Sequence, residues 1–208
     1  VQYNSFNNWG WLNTYSSKRS KYLEVCLGNL TNYKSVFNAM KGCTHVVHLG
    51  ALIAIPYSYK APSSYVDNNV NGTLNIMQAA LENDVEKIIH ISTSEVYGSA
   101  KYVPIDEEHP LQAQSPYSAS KIGADAIAFS FYKSFDLPLI IGRPFNTYGP
   151  RQSNRAIIPT IISQFFNQNK YIEVGNINTT RDFTYVSDTA SAFFKILGRK
   201  KYGEIFNI

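Results

Sequence analysis

The sequence predicts an α/β protein built on a doubly wound parallel sheet, and three observations carry that prediction. Short β-branched runs alternate with longer helical patterns along most of the 208 residues. Those runs are apolar almost throughout instead of alternating, as in strands covered by helices on both faces. The polar segments best suited to chemistry follow the strand runs, where open α/β sheets bind their ligands.

Taken in order, "LEVCL" (23–27) reads as a strand, followed by the amphipathic "TNYKSVFNAMKG" (31–42), with Thr31 as cap and Gly42 closing the helix. "THVVHLG" (44–50) is the next strand, and a long helix spans 62–84. "EKIIHIS" (86–92) is a third strand, then a helix runs from Pro116 to Phe135, and "LPLIIGR" (137–143) is a further buried strand. Beyond residue 151 the texture changes. "RAIIPTIISQFFNQ" (155–168) reads as an apolar helix interrupted near Pro159, and "RDFTYVSDTASAFFKIL" (181–197) as an extended piece, a cap at Asp188 and a helix. We therefore expect a sheet domain over 1–150 and a smaller substrate-binding region over 151–208, with elements interleaved back into the core.

Composition narrows the function classes. Charged residues are 16% and hydrophobic ones 44%, a globular balance. The formal charge of +4 is diffuse, with no basic run longer than "GRKK", which speaks against a nucleic-acid stripe. Aromatics at 14% exceed what a minimal core needs, so some should line a pocket. Cys26 and Cys43 form no CxxC and read as reduced core thiols of a cytoplasmic protein. The four histidines lack metal-ligand spacing, so no metal is expected. No segment is long and apolar enough to suggest a membrane span.

The stretch "SPYSASKIGAD" (115–125) poses the chemical question. Ser115 suits an N-cap and Pro116 the first helical position, so Tyr117 and Lys121 fall on one face of the opening turns. A solvated helix face would place them together by geometry alone. The alternative is a proton-transfer pair, because an adjacent ammonium and the positive helix start both favour phenolate. "STSEVYG" (92–98) puts Thr93, Ser94 and Glu95 just past a buried strand. That is either a hydroxyl-rich turn or a carboxylate placed for work on a carbon acid.

Six ordered segments, "HVVHLGA", "NNVNGTLNIMQAA", "IIHISTSEVYG", "PYSASKIGAD", "RPFNTYGPR" and "RDFTYVSDT", resemble the extended short-chain dehydrogenase/reductases that act on sugar nucleotides, the NAD-dependent epimerase/dehydratase family. The resemblance covers essentially the whole chain. It is strongest to bacterial 4,6-dehydratases of nucleotide-linked N-acetylglucosamine, of the legionaminic-acid type, supported by "YNSFNNWGWL" and "ALIAIPYSY". It implies a Rossmann-like fold, NAD as cofactor with NADP as the alternative, a nucleotide-sugar substrate and a homodimer formed by the helices at 62–84 and 116–135.

Residue by residue, the resemblance makes Tyr117 the catalytic base and Lys121 its partner, which also holds the nicotinamide ribose. It sets Thr93 on the sugar 4-hydroxyl, Glu95 as the base for the C5 hydrogen, and Ser94 where many relatives carry an acidic general acid. Asn4, Asn29, Leu30, Leu49, Gly50, Ala51 and Pro144 would lie along the cofactor. Ser58, Asn146, Arg151, Arg155 and Arg181 would meet the nucleotide sugar. Glu95 separates readings, since 4-epimerases typically place a small or apolar residue there, while a UDP-glucuronate decarboxylase shares the Thr-Ser-Glu run. A non-catalytic scaffold of the same fold would predict a broken Tyr/Lys pair, and both residues are present.

Departures from the family pattern are equally specific. None of the 12 glycines forms GxxGxxG or GxGxxG, so the glycine-rich turn and the first strand that carries it are expected to lie outside these residues. Tyr3 and Asn4 stand where relatives often carry an acid for the adenosine ribose, and Asn29 replaces a frequent Asp.

Overall fold

The computed structural model describes residues 9–14, 22–167 and 170–208. Its main sheet has four parallel strands in the order β1 (His45–His48), β2 (Lys87–Ile91), β3 (Leu139–Arg143) and β6 (Ile205–Asn207). A second, two-stranded parallel ribbon pairs β4 (Asn146–Tyr148) with β5 (Phe183–Tyr185). Residues pair in simple register, Val46 with Ile88 and Ile88 with Leu139, so the strand ends that carry polar residues finish along one rim.

Apolar runs make this sheet because both of its faces are covered. On one side Ile88, Leu139 and Ile141 pack with Ile76, Met77, Ala79 and Ala80 of α4 (Gly72–Glu82) and Ala128 of α5 (Pro116–Phe135). Val36 and Met40 of α1 (Tyr33–Met40) extend that layer. On the other side Ile89 and Ile140 pack with Ile196 of α7 (Val186–Leu197), flanked by Phe193 and Phe206. Neighbours in one strand thus serve opposite layers, which is why a period-two pattern is missing from β2 and β3. At Gly142 a Cβ would meet Phe193 Cε1 at 2.4 Å, so the glycine lets α7 lie close against the sheet.

Several expected elements differ. Leu23–Leu27 is not a strand; only a single bridge residue, Gly28, follows it. A strand exists through its neighbour, and among the described residues no ladder forms along this segment. Helix α1 is capped by Asn32, whose side chain accepts from Ser35 N, not by Thr31. The helix expected at 62–84 is α3 (Pro62–Tyr65), a π-helical stretch Val66–Asn71 and then α4. A short α2 (Ile55–Ser58) precedes it. Pro159 does not interrupt α6 (Ile157–Phe166): it is the third residue of the helix, where a missing N–H leaves no intrahelical bond unmade. Asp188 lies inside the first turn of α7 and Tyr185 is the cap. The carboxylate there favours the positive helix start without capping it. Cys26 and Cys43 are exposed, not core thiols, and point toward Glu24 Oε1 and the Ala39 carbonyl. Among the described residues no helix is long and apolar enough to cross a membrane.

Candidate active site

Helix α5 begins as the sequence predicts, and its start sets the geometry of everything else. Ser115 accepts from Ser118 N, the Ser118 side chain reaches back to the cap, and Pro116 opens the helix. This reciprocal capping satisfies two donors that a helix start otherwise leaves open. Tyr117, Lys121 and Asp125 then follow at successive turns along one stripe, and all three are buried.

Opposite them, β2 is followed by Ser92 and Thr93, and a short 3-10 turn, Ser94–Tyr97, carries Glu95. Thr93 caps that turn by accepting from Glu95 N at 3.2 Å. Ser94 N donates to the Pro144 carbonyl at 3.0 Å, which joins the end of β2 to the end of β3. Thr93 and the Glu95 carboxylate are both near enough to the Tyr117 hydroxyl to act on it electrostatically. Thr93, Glu95, Tyr117 and Lys121 therefore share one neighbourhood at the carboxyl rim of the sheet.

The electrostatics differ from the sequence expectation. Burial pushes the Tyr117 phenol above its ordinary value; Thr93 pulls it back in part, and Glu95 and Tyr65 add to the rise. Lys121 does not depress it. Its Nζ is turned onto the Ile91 carbonyl at 2.8 Å, and burial brings the amine down to about 8, opposed by Asp125. The adjacent-ammonium argument counted the charge at i+4 but not the desolvation that both groups undergo together.

Below the pair lies a polar network that sequence reasoning missed. Asp125 Oδ2 accepts from Arg143 Nε at 3.2 Å and Nη2 at 3.1 Å. Asp125 Oδ1 faces His90 Nε2 at 3.2 Å. Burial alone would push the Asp125 carboxyl up, but His90, Ser92 and Arg143 outweigh it and hold it below the usual range. Arg143 Nη1 donates to the Tyr97 hydroxyl, which donates to Asn207 Oδ1 at 2.7 Å. His90 is held below its ordinary value chiefly by burial, and His48, 5.4 Å away ring to ring and bonded to Thr73, well below it. The available signal was the third member of the stripe in "YSASKIGAD" and two histidines inside otherwise apolar strands.

Asn69 is a second omission. Buried in the π-helical stretch, its amide bridges Leu52 N, the Leu52 carbonyl and Ser120 Oγ at 2.8–2.9 Å, tying the loop after β1 to α5.

The remaining expected residues fall into separate places. Asn29, Leu30, Gly50 and Ala51 line a cavity of about 560 Å³ between the segment at 26–30, α1 and β1. Tyr117, Lys121, Thr93 and Glu95 do not line it. Leu49 beside it is exposed. Asn4 lies outside the described residues. Ser58 is fully buried and donates to the Ile55 carbonyl, so its hydroxyl offers no surface to a ligand. Asn146 N donates to the Asp182 carbonyl in the two-stranded ribbon, which brings the segments bearing Arg151 and Arg181 to one side. Arg151, Arg155 and Arg181 are exposed; Arg151 stacks 5.2 Å from the Trp11 ring and Arg181 donates to the Thr180 carbonyl.

Comparison with known proteins gives these features a family. The GDP-mannose 4,6 dehydratase family pattern matches residues 1–208, and the chain belongs to that family. A dTDP-D-glucose 4,6-dehydratase of Dictyostelium discoideum is 37% identical over 174 residues, 78% of this chain and 40% of its own length. The human dTDP-D-glucose 4,6-dehydratase is 34% identical over 198 residues, 95% of this chain and 56% of its length. Among solved structures, a double mutant of the Streptomyces venezuelae dTDP-glucose 4,6-dehydratase with NAD bound superposes with a TM-score of 0.85 at 26% identity. That match covers 95% of this chain and 61% of the other. The chain thus spans about half the length of the curated relatives it matches.

Proposed function

We propose that this chain carries the chemical centre of a cytoplasmic nucleotide-sugar 4,6-dehydratase acting on a nucleoside-diphosphate N-acetylglucosamine. The observation that carries the reading is the meeting of Thr93, Glu95 and Tyr117 at the rim of the sheet, with Lys121 one turn beyond Tyr117. A 4-epimerase needs one acid–base group beside the sugar. Elimination needs a second, and Glu95 supplies it.

In this reading the sugar ring lies across Thr93 and Tyr117. Thr93 orients the 4-hydroxyl, and Tyr117 takes its proton as C4 is oxidised. The resulting ketone acidifies the C5 hydrogen, which Glu95 removes. The protonated Glu95, with Ser94 beside it, then helps the C6 hydroxyl leave as water. A burial-raised phenol is a weak acid and a strong base, so once deprotonated it takes the 4-hydroxyl proton readily.

NAD is the cofactor we infer. The fit rests on the cavity beside β1, where Asn29 and Leu30 offer an adenine edge and Gly50 a bare backbone. A Cβ on Gly50 would meet Leu30 Cδ1 at 2.5 Å, so the bare backbone is what lets these two cavity-lining residues lie together. Lys121 would hold the nicotinamide ribose and Pro144 would back the ring. When bound, the nicotinamide supplies a hydride acceptor for C4 and a donor for C6. Arg151, Arg155 and Arg181 suit the diphosphate, since guanidinium groups bind phosphate oxygens bidentately. The sheet domain (1–150), the smaller substrate region (151–208) and a homodimer through the helices at 62–84 and 116–135 complete the reading.

The test is incubation of the protein with NAD and candidate nucleotide sugars, read by mass spectrometry. Loss of water from the sugar supports the proposal; loss of carbon dioxide from a glucuronate, or inversion at C4 without mass change, refutes it. In Glu95→Gln we expect nicotinamide reduction to persist while loss of water falls by about 10²–10⁴-fold.

A further inference from the structure

We propose that Asp125 is a positioning residue for the Tyr117–Lys121 pair. Its carboxylate, one helical turn past Lys121 on the same buried stripe, is the counter-charge to that amine, and its clamp on Arg143 and His90 locks the helix bearing the pair against the strand ends bearing Thr93 and Pro144. The inference rests on the role proposed above for that pair, but its test does not.

The geometry is that of a keystone. Asp125 sits one helical turn past Lys121 and is bonded to two strands at once, to His90 of β2 and to Arg143 of β3. Lys121 itself donates to Ile91, the residue between His90 and Ser92. Helix and strand end are thus laced by two adjacent attachments, one from each charged side chain. A carboxylate in such a place needs a reason, because burying an ion pair brings stability only when every lone pair is met. Here His90 faces it with Nε2 and leaves Nδ1 buried with no hydrogen-bond partner, an unmet cost that a purely structural core would remove.

Every charged or titratable group around Lys121 can be placed. On its own helix are Tyr117 and Asp125. His48 faces it from β1 and His90 from β2; Arg143 enters from β3, Glu95 from the 3-10 turn, and Tyr65 from α3 against Tyr117. Both histidines are held neutral, and Arg143 is already bonded to Asp125. Of these groups, the Asp125 carboxylate, on the same helix stripe one turn away, is the charge that favours the ammonium against burial.

The experiment is an NMR titration of the Lys121 ε-methylene in the 208-residue chain labelled with ¹³C-lysine, assigned by the signal that vanishes in Lys121→Arg. Asp125→Asn should strengthen proton loss from Lys121 by about tenfold or more. Arg143→Gln should move it the opposite way or leave it, because the carboxylate then acts unshared. The double variant Asp125→Asn/Arg143→Gln should behave like Asp125→Asn, and it removes both buried charges together should the single variant fail to fold. Asp125→Glu should restore the parent titration. If Asp125 were only a brace, loosening would expose Lys121 to water and Asp125→Asn would move its titration up toward an ordinary lysine. That result, or a change of less than twofold in both Asp125→Asn forms, overturns the proposal. A chain that titrates as expected but releases no water from any nucleotide sugar would refute the proposed function alone.

Discussion

Tyr117, Lys121 and Thr93 are buried and cross-bonded between helix and sheet, whereas Arg151, Arg155 and Arg181 are exposed on segments that bury little. Helix α6, between the second and third arginines, has no buried residue among those described, although its sequence is "IIPTIISQFF". The comparison teaches that the two halves of one proposed site are held by different physics. The proton-handling half is fixed by packing density and a closed polar network. The anion-binding half presents charge without enclosing it.

Three experiments would break or sharpen that contrast. The largest effect is expected in the enclosed half: Tyr117→Phe should lower turnover by about 10³-fold or more while leaving the thermal midpoint within a few degrees of the parent. Turnover within tenfold of the parent would remove the phenol from the chemistry. Acid should come next. His48 and His90 have folded-state values below the unfolded one, so the unfolded chain binds protons that the folded chain refuses as pH falls below about 6.5. Stability is fully present above that value and should decline on acidification before most carboxylates titrate. A melting temperature flat from neutrality down to the carboxylate range would contradict the neutral, buried assignment. Smallest of all, Arg155→Ala and Arg181→Ala should change stability by less than about 0.5 kcal/mol, as exposed substitutions do. Each should raise KM for a nucleotide sugar about tenfold with little change in kcat.

The same division governs what could be read before the fold was seen. Helix α5 was legible to the residue because its signals are local: a serine cap, a proline at the first position and no proline after it. Strands β2 and β3 were legible through their nearly continuous apolar character. The segment at 23–27 misled because strand composition is necessary for a ladder but a neighbour is what makes one. Pro159 misled because its cost depends on position within the helix, which the apolar pattern alone did not place. For the site, the membership of Thr93, Glu95, Tyr117 and Lys121 could be read from spacing and strand ends. The rise at Tyr117 could not, because it comes first from burial in the folded chain, to which the charges of Glu95 and Tyr65, far upstream in the sequence, add. Asp125 stood in full view at the helical interval after Lys121, yet its partners His90 and Arg143 looked like interruptions of apolar strands. Ser58 fits an exposed contact in sequence and a closed helical turn in structure.

Tyr97 and Asn207 are 110 positions apart, and the Asn207 backbone N–H also donates to the Glu107 carboxylate. Contacts of that reach are late ones, because a long loop must be closed before they return any stabilisation. Strand β6 therefore sets a schedule as well as a boundary. Until it docks, the hydroxyl that Arg143 donates to and the acidic loop at 105–107 have no anchor, and the centre around Asp125 should acquire its final order among the last events of folding.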